Sequence, residues 1–234
     1  MIKEAIILAG GLGTRLQSVV SDVPKPMAPV NGKPFLEYLV RYLLKFGIQK
    51  IIFSVGYKSE AIVEYFGTYF ENITIVYAKE EEPLGTGGGL KKAIEKCTTE
   101  NVLILNGDTF LELDLNEFYN FHQLENADIS LCLRNMINTS RYGTVKINDQ
   151  KRVIAFQEKT GENTQGLING GVYIFRRKKF NAFDLPEKFS LEKDFFEPNL
   201  KNLTIIGYTG SGYFIDIGIP EDYQKAQIDF KGFE

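Results

Sequence analysis

Histidine is almost absent from this sequence: His122 stands alone among 234 residues. A His-rich zinc site and H-E-x-x-H chemistry are therefore excluded. Cysteine is nearly as scarce. Cys97 and Cys132 lie far apart in apolar or helical patterns, which fits packing thiols in a reduced compartment. His122 itself reads as a helix-surface residue. A basic excess is also missing. The formal charge is -3, so the net balance does not point to nucleic acid, and any affinity for phosphate must come from local placement of Lys and Arg. No apolar run approaches the roughly 18 residues of a membrane span. The N-terminal MIKEAIILAGG has neither a long enough apolar stretch for a signal peptide nor the small-residue cleavage pattern. The expectation is a cytoplasmic protein without a nucleic-acid or membrane partner.

Core-forming material is abundant. A hydrophobic fraction of 44%, with 18 Phe and 12 Tyr, can fill a substantial interior. Short β-rich runs (EAIILAG, KIIFSV, ITIVY, NVLILNGD) alternate with helical patterns through the first half. Phe35, Leu36, Leu39, Val40, Leu43 and Leu44 repeat at helical spacing, Ser59 can cap a second helix, and GLKKAIEKC forms a third. That alternation predicts β-α-β units and a mainly parallel sheet. In the second half GTVKIN and RVIAFQE flank the turn Asp149-Gln150-Lys151, which predicts a hairpin. GGVYIFRR, LTIIGYT and YFIDIG add strands, while Ser190 and Pro220 start helices. The expected fold is a single α/β domain over residues 1–234: a Rossmann-like mixed sheet flanked by helices, with hairpin insertions late in the chain. The aromatic-rich second half could supply a homo-oligomer face.

The most informative stretch is IILAGGLGTRLQSVVSDVPKPMAPVNGKP, where a glycine loop leaves the end of a strand. Gly10, Gly11 and Gly13 let backbone N–H groups approach an anion. A Walker A loop needs G-x-x-x-x-G-K-[ST], yet here Gly32-Lys33 is followed by proline. A dinucleotide fingerprint needs a third glycine where Leu16 stands. What remains is a loop with its own cation, Arg15, and a second cation, Lys25, stiffened by Pro24 and Pro26. A fork-shaped guanidinium and a point-charge ammonium suit a polyphosphate whose charge shifts during reaction.

These residues resemble the signature of sugar-1-phosphate nucleotidylyltransferases. EEEPLGTGGGL, LNGD, RYGTV, FQEK, LINGGVYIF and YFIDIGIPEDY continue the likeness in the family's order to about residue 225. Within the family the chain is most similar to the D-glycero-α-D-manno-heptose 1-phosphate guanylyltransferases. The resemblance implies the nucleotide-diphospho-sugar transferase fold. It also implies transfer of GMP from GTP to a sugar 1-phosphate, with Mg²⁺ as cofactor and pyrophosphate as the second product. Mannose 1-phosphate is an alternative acceptor. A glycosyltransferase or a non-catalytic nucleotide-sugar sensor would be alternatives from other classes.

Residue by residue, the resemblance puts Leu8, Ala9, Gly10, Gly11, Gly13, Thr14, Arg15 and Lys25 against the nucleotide. Gly85 and Thr86 would lie near base and ribose. Asp108 and Asp216 fall beside the metal, making Arg15, Lys25, Asp108 and Asp216 the expected catalytic set. Taken alone, Asp108 in NGD is equally a turn residue with an Asx-type hydrogen bond, and Asp216 could cap the next helix. Glu80 matches the base-reading position. One carboxylate can accept from guanine N1–H and N2–H₂ together, whereas uracil and thymine present a carbonyl beside N3–H. Gly143, Glu158, Lys159 and Asn169 match the sugar-phosphate contacts, with Glu158 accepting sugar hydroxyls and Lys159 meeting the phosphate.

Overall fold

The computed structural model describes residues 1–11, 13, 16 and 19–233. Strand β1 (Glu4–Leu8) leads to the short pair β2 (Pro29–Val30) and β3 (Lys33–Pro34), then helix α1 (Phe35–Lys45) and β4 (Lys50–Val55). Helix α2 (Ser59–Phe66), β5 (Tyr69–Phe70), β6 (Ile73–Lys79), α3 (Gly85–Ile94) and β7 (Asn101–Asn106) complete the first half. The second half opens with β8 (Thr109–Leu111), α4 (Leu115–Leu124) and β9 (Ile129–Met136). A hairpin of β10 (Thr144–Ile147) and β11 (Val153–Gln157) precedes the long β12 (Gly166–Arg176) and α5 (Arg177–Phe180). A π-turn at Leu191–Phe196, α6 (Glu197–Asn199), β13 (Ile205–Gly210), β14 (Phe214–Asp216) and α7 (Pro220–Asp229) follow.

Strands β6, β4, β1 and β7 lie side by side and parallel. The chain runs outward from β1 to β4 to β6, then crosses back through α3 to β7 on the other flank of β1. That reversal opens a crevice beyond the carboxyl ends of β1 and β7, the usual place for a ligand in such a sheet. β12 extends the sheet antiparallel to β7, and β9 pairs along β12 with β13 parallel beside it. The α/β architecture with a mixed, mainly parallel sheet and a late hairpin is as expected.

Both faces of the parallel strands are covered, which is why EAIILAG is apolar without a break. Ala5 and Ile7 pack with Phe35, Leu36 and Leu39 of α1, while Ile6 packs with Leu90 and Ala93 of α3 on the opposite side. Phe175, Phe180, Phe195 and Phe196 close the second face as a set of tilted and edge-on rings. Each is fully buried and worth roughly 1.5–3 kcal/mol relative to an exposed ring. Among the described residues, no helix is long and apolar enough to cross a membrane. Both cysteines are free and buried, and burial pushes each thiol up to about 12.

Three local expectations are corrected. Ser59 is the first residue of α2 and its hydroxyl does not cap; Lys58 precedes the helix in the left-handed region, at φ 52. Helix α3 begins at Gly85, four residues before the start of GLKKAIEKC, because segment 187–189 passes so close that only glycine fits. His122 is fully buried, not on a helix surface. Its Nε2 lies 3.2 Å from Asn101 Oδ1, which can only accept, so Nδ1 accepts from Ser130 Oγ at 2.9 Å. Burial, helped by the positive charge of Arg176, lowers its pKa to about 4.

Candidate active site

The crevice at the strand tips holds two cavities that share a wall. The first, of about 500 Å³, is lined by the chain leaving β1 (Leu8, Ala9, Gly10, Gly11, Gly13), by Lys25, and by Glu80, Gly85 and Thr86 across the opening. The second, of about 380 Å³, is lined by Gly143, Asn169 and Asp216. Asn106 and Asp108 line both. The described residues expected at the nucleotide therefore converge on one cavity, and Gly143 and Asn169 on its neighbour. Thr14 and Arg15 lie outside the described residues.

Lys25 is held by its own local sequence. Pro24 is extended, Lys25 opens a single 3-10 turn through Met27, and Ala28 N–H closes it on the Lys25 carbonyl. The side chain is buried, and Gly13, at φ 59, packs against its β-carbon. Lys25 Nζ donates to Asp108 Oδ2 at 2.6 Å and to Asp216 Oδ1 at 3.4 Å. The two aspartates meet because β8 pairs antiparallel with β14, with Thr109 opposite Asp216, and Ile217 N–H donates to the Asp108 carbonyl. Asp216 does not cap α7: its Oδ1 accepts from Gly218 N–H at 2.7 Å, outside that helix. Asp108 Oδ1 accepts from the Thr109 hydroxyl at 3.2 Å. Burial and the charge of Asp108 raise the Asp216 pKa, against the pull of Lys25 and the Gly218 N–H. Gly218 has to be glycine, since a β-carbon there would stand 2.8 Å from Asp216 Oδ1 and 2.9 Å from Lys25 Nζ.

Glu80 follows the end of β6 and is buried, unlike Glu81 and Glu82. Ser54 Oγ donates to its Oε1 at 3.0 Å, and Leu84 N–H donates to Oε2 at 3.1 Å. A carboxylate offers about four acceptor sites, so one remains on each oxygen. Gly10 and Gly89 flank it closely, leaving no room for a β-carbon at either.

The oxygen donors suit a hard divalent ion. Two carboxylates, Asp108 from the turn before β8 and Asp216 from the end of β14, already face a cation, the Lys25 ammonium, and Mg²⁺ takes carboxylate oxygens together with water and phosphate oxygens. Among the described residues, no group of three or more His, Cys, Asp or Glu could hold a metal. Substrate and water would have to complete any shell.

Glu158 and Lys159 are exposed and outside the wall of either cavity; Glu158 forms an ion pair with Lys193. Neither the role expected of Glu158, accepting sugar hydroxyls, nor that of Lys159, meeting the phosphate, is supported by these positions. Sequence reading missed Asn106, which precedes the NGD aspartate, and Gly218, two residues beyond Asp216. It also missed Ser54, whose hydroxyl orients Glu80. Only their contacts mark them.

A model of the nucleotidyl transferase family matches residues 4–231. The chain belongs to that family. Among related nucleotidyl transferases, the D-glycero-alpha-D-manno-heptose 1-phosphate guanylyltransferase of Aneurinibacillus thermoaerophilus is 52% identical over 230 residues, covering 98% of this chain and 99% of its own. The protein of the same description from Campylobacter jejuni is 49% identical over 97% of this chain and 99% of its own. Crystalline HddC from Yersinia pseudotuberculosis, complexed with GMP-PN, superposes with a TM-score of 0.88 at 38% identity, covering 98% of this chain and all of that one.

Proposed function

We propose that this nucleotidyl transferase moves GMP from GTP to D-glycero-α-D-manno-heptose 1-phosphate, giving the GDP-sugar and pyrophosphate. The observation that carries the reading is the shared wall. One cavity gathers the described residues expected at a nucleotide, the other is polar and of sugar size, and Lys25, Asp108 and Asp216 stand where they meet. Similarity to two guanylyltransferases over nearly their full length supports the choice of substrates.

An oxygen of the sugar phosphate attacks the α-phosphorus of GTP. A new P–O bond forms, the bond to the β-bridging oxygen breaks, and pyrophosphate leaves with that electron pair. The attacking oxygen is already anionic, so no protein base or covalent nucleophile is needed, and alignment and charge neutralisation carry the reaction. Backbone N–H groups of the glycine loop receive the phosphates. Lys25 donates to phosphate oxygens near the reacting centre, and Arg15, by its place in the motif, holds the departing end. Glu80 accepts from guanine N1–H and N2–H₂, with Gly85 and Thr86 beside base and ribose. Asp108 and Asp216 would hold Mg²⁺, which supplies further neutralisation of phosphate charge when bound. Gly143 and Asn169 face the sugar.

Pyrophosphate release with GTP, ATP, UTP and dTTP against heptose, mannose and glucose 1-phosphates tests this. GTP with the heptose phosphate is expected to be fastest. Preference for UTP or dTTP would remove the role of Glu80, and a stronger rate with mannose 1-phosphate would reassign the acceptor.

A further inference from the structure

The polar cavity has a carboxylate to which the reaction above gives no part. Glu192 lines it together with Asp108, Asp216 and Asn169. It sits on the π-turn Leu191–Phe196, a rare geometry often found where function requires a side chain to be re-aimed. The turn is pinned at both ends. Leu191 N–H donates to Thr86 Oγ1 at 3.0 Å, and Phe195 and Phe196 are fully buried in the aromatic core. Of its polar residues, Lys193 and Asp194 are exposed, whereas Glu192 is half-buried and faces the cavity.

Beside Glu192 on the cavity wall, Asn169 donates to the Tyr173 hydroxyl at 2.9 Å, while its Oδ1 accepts from Gly171 N–H at 3.1 Å. These two bonds fix the orientation of the Asn169 amide. Glu192 keeps most of its acceptor sites. The nearby cations are committed elsewhere: Lys25 to the two aspartates, Arg141 to Asp222 at 2.6 Å, and Lys193 to Glu158 on the outer surface. A half-buried carboxylate facing a cavity whose one cation among the described lining residues, Arg141, is already paired with Asp222 is suited to neutral O–H donors. Burial raises its pKa, with Glu197 and Glu158 adding and Asn169 and Lys193 opposing.

We propose that Glu192 is a specificity-determining residue that accepts a hydrogen bond from a ring hydroxyl of the sugar 1-phosphate, held in aim by the pinned turn. This rests on the reading that the cavity takes the sugar. The test is steady-state kinetics of wild type, Glu192→Gln and Glu192→Ala with GTP and D-glycero-α-D-manno-heptose 1-phosphate or its 2-, 3- and 4-deoxy analogues. Both variants are expected to lose roughly 10- to 100-fold in kcat/KM for the parent sugar phosphate, mainly through KM, with the KM for GTP unchanged. With one deoxy analogue, the one lacking the hydroxyl that Glu192 accepts, wild type and variants should match. A wild-type KM for the sugar in Glu192→Gln would overturn the proposal, as would an equal loss on every analogue or a matching rise in the KM for GTP. If wild type releases pyrophosphate with none of these sugar phosphates, the proposed function itself falls, and Glu192's role with it.

Discussion

The ammonium of Lys25 lies 2.6 Å from the carboxylate of Asp108, across 83 residues of sequence. With Asp216 at 3.4 Å on its other side, the lysine keeps two acidic groups together at the seam between the cavities. Lys25→Met would leave those carboxylates facing each other. In EDTA the variant is expected to lose about 1–3 kcal/mol, less than the roughly 3–5 kcal/mol for a fully buried pair, because Asp108 is 35% exposed. Magnesium should recover part of the melting temperature, and turnover should fall roughly 100-fold or more. Turnover near that of wild type would remove Lys25 from the reacting centre.

Gly218→Ala tests the same seam without changing a charge. The added methyl has to displace the Asp216 carboxylate or the Lys25 ammonium. A loss of turnover of roughly 100-fold is expected, with GTP binding retained and only a small drop in melting temperature. An active Gly218→Ala enzyme would show that the spacing of the triad is slack.

Glu80→Gln replaces a pure acceptor by an amide. Turnover with GTP should fall roughly 10- to 100-fold while UTP and dTTP are no worse than before, read from pyrophosphate release with all four nucleotides. Unchanged selectivity would mean that guanine is read by another group. Ser54→Ala should reproduce a weaker form of the same loss, since its hydroxyl orients Glu80.

His122 makes stability depend on pH. Its folded pKa, about 4, lies below the ordinary value of 6.5, so the unfolded chain binds the extra proton between those limits. Stability is fully present above about 6.5 and is lost as pH falls toward 4, by up to about 3 kcal/mol. Glu4 acts lower down. Burial alone would raise its pKa, but hydrogen bonds from Thr99, Thr98 and Lys50 outweigh that and bring it to about 2, so its contribution is lost below about 4.5. Between pH 5 and 6.5 the fall in stability with acid should therefore be much smaller in His122→Gln, whatever that variant's stability at pH 7. A slope of wild-type size in the variant would assign it elsewhere.

Asp108, Asp216 and Glu80 were matched through the family's motifs, whereas the β-α-β order, the glycine loop and Lys25 could be read directly from the chain. Each lies in a short segment whose residue types already limit its conformation: apolar runs with two covered faces, prolines on both sides of a lysine, glycines at a strand end. The π-turn that aims Glu192 was not legible, because LEKDFF has an ordinary helical pattern and the turn follows from burying two adjacent phenylalanines. Glu158, matched by motif, stands outside the cavity because its partner Lys193 lies on the outer face of that turn. His122 looked exposed because its two partners, Asn101 and Ser130, come from strands that only the sheet brings to α4. Sequence alone determined which chemical groups this protein has and the local backbone that carries them. Tertiary structure alone decided which groups share a cavity, since strand pairing such as β8 with β14 sets distances between residues that are remote along the chain.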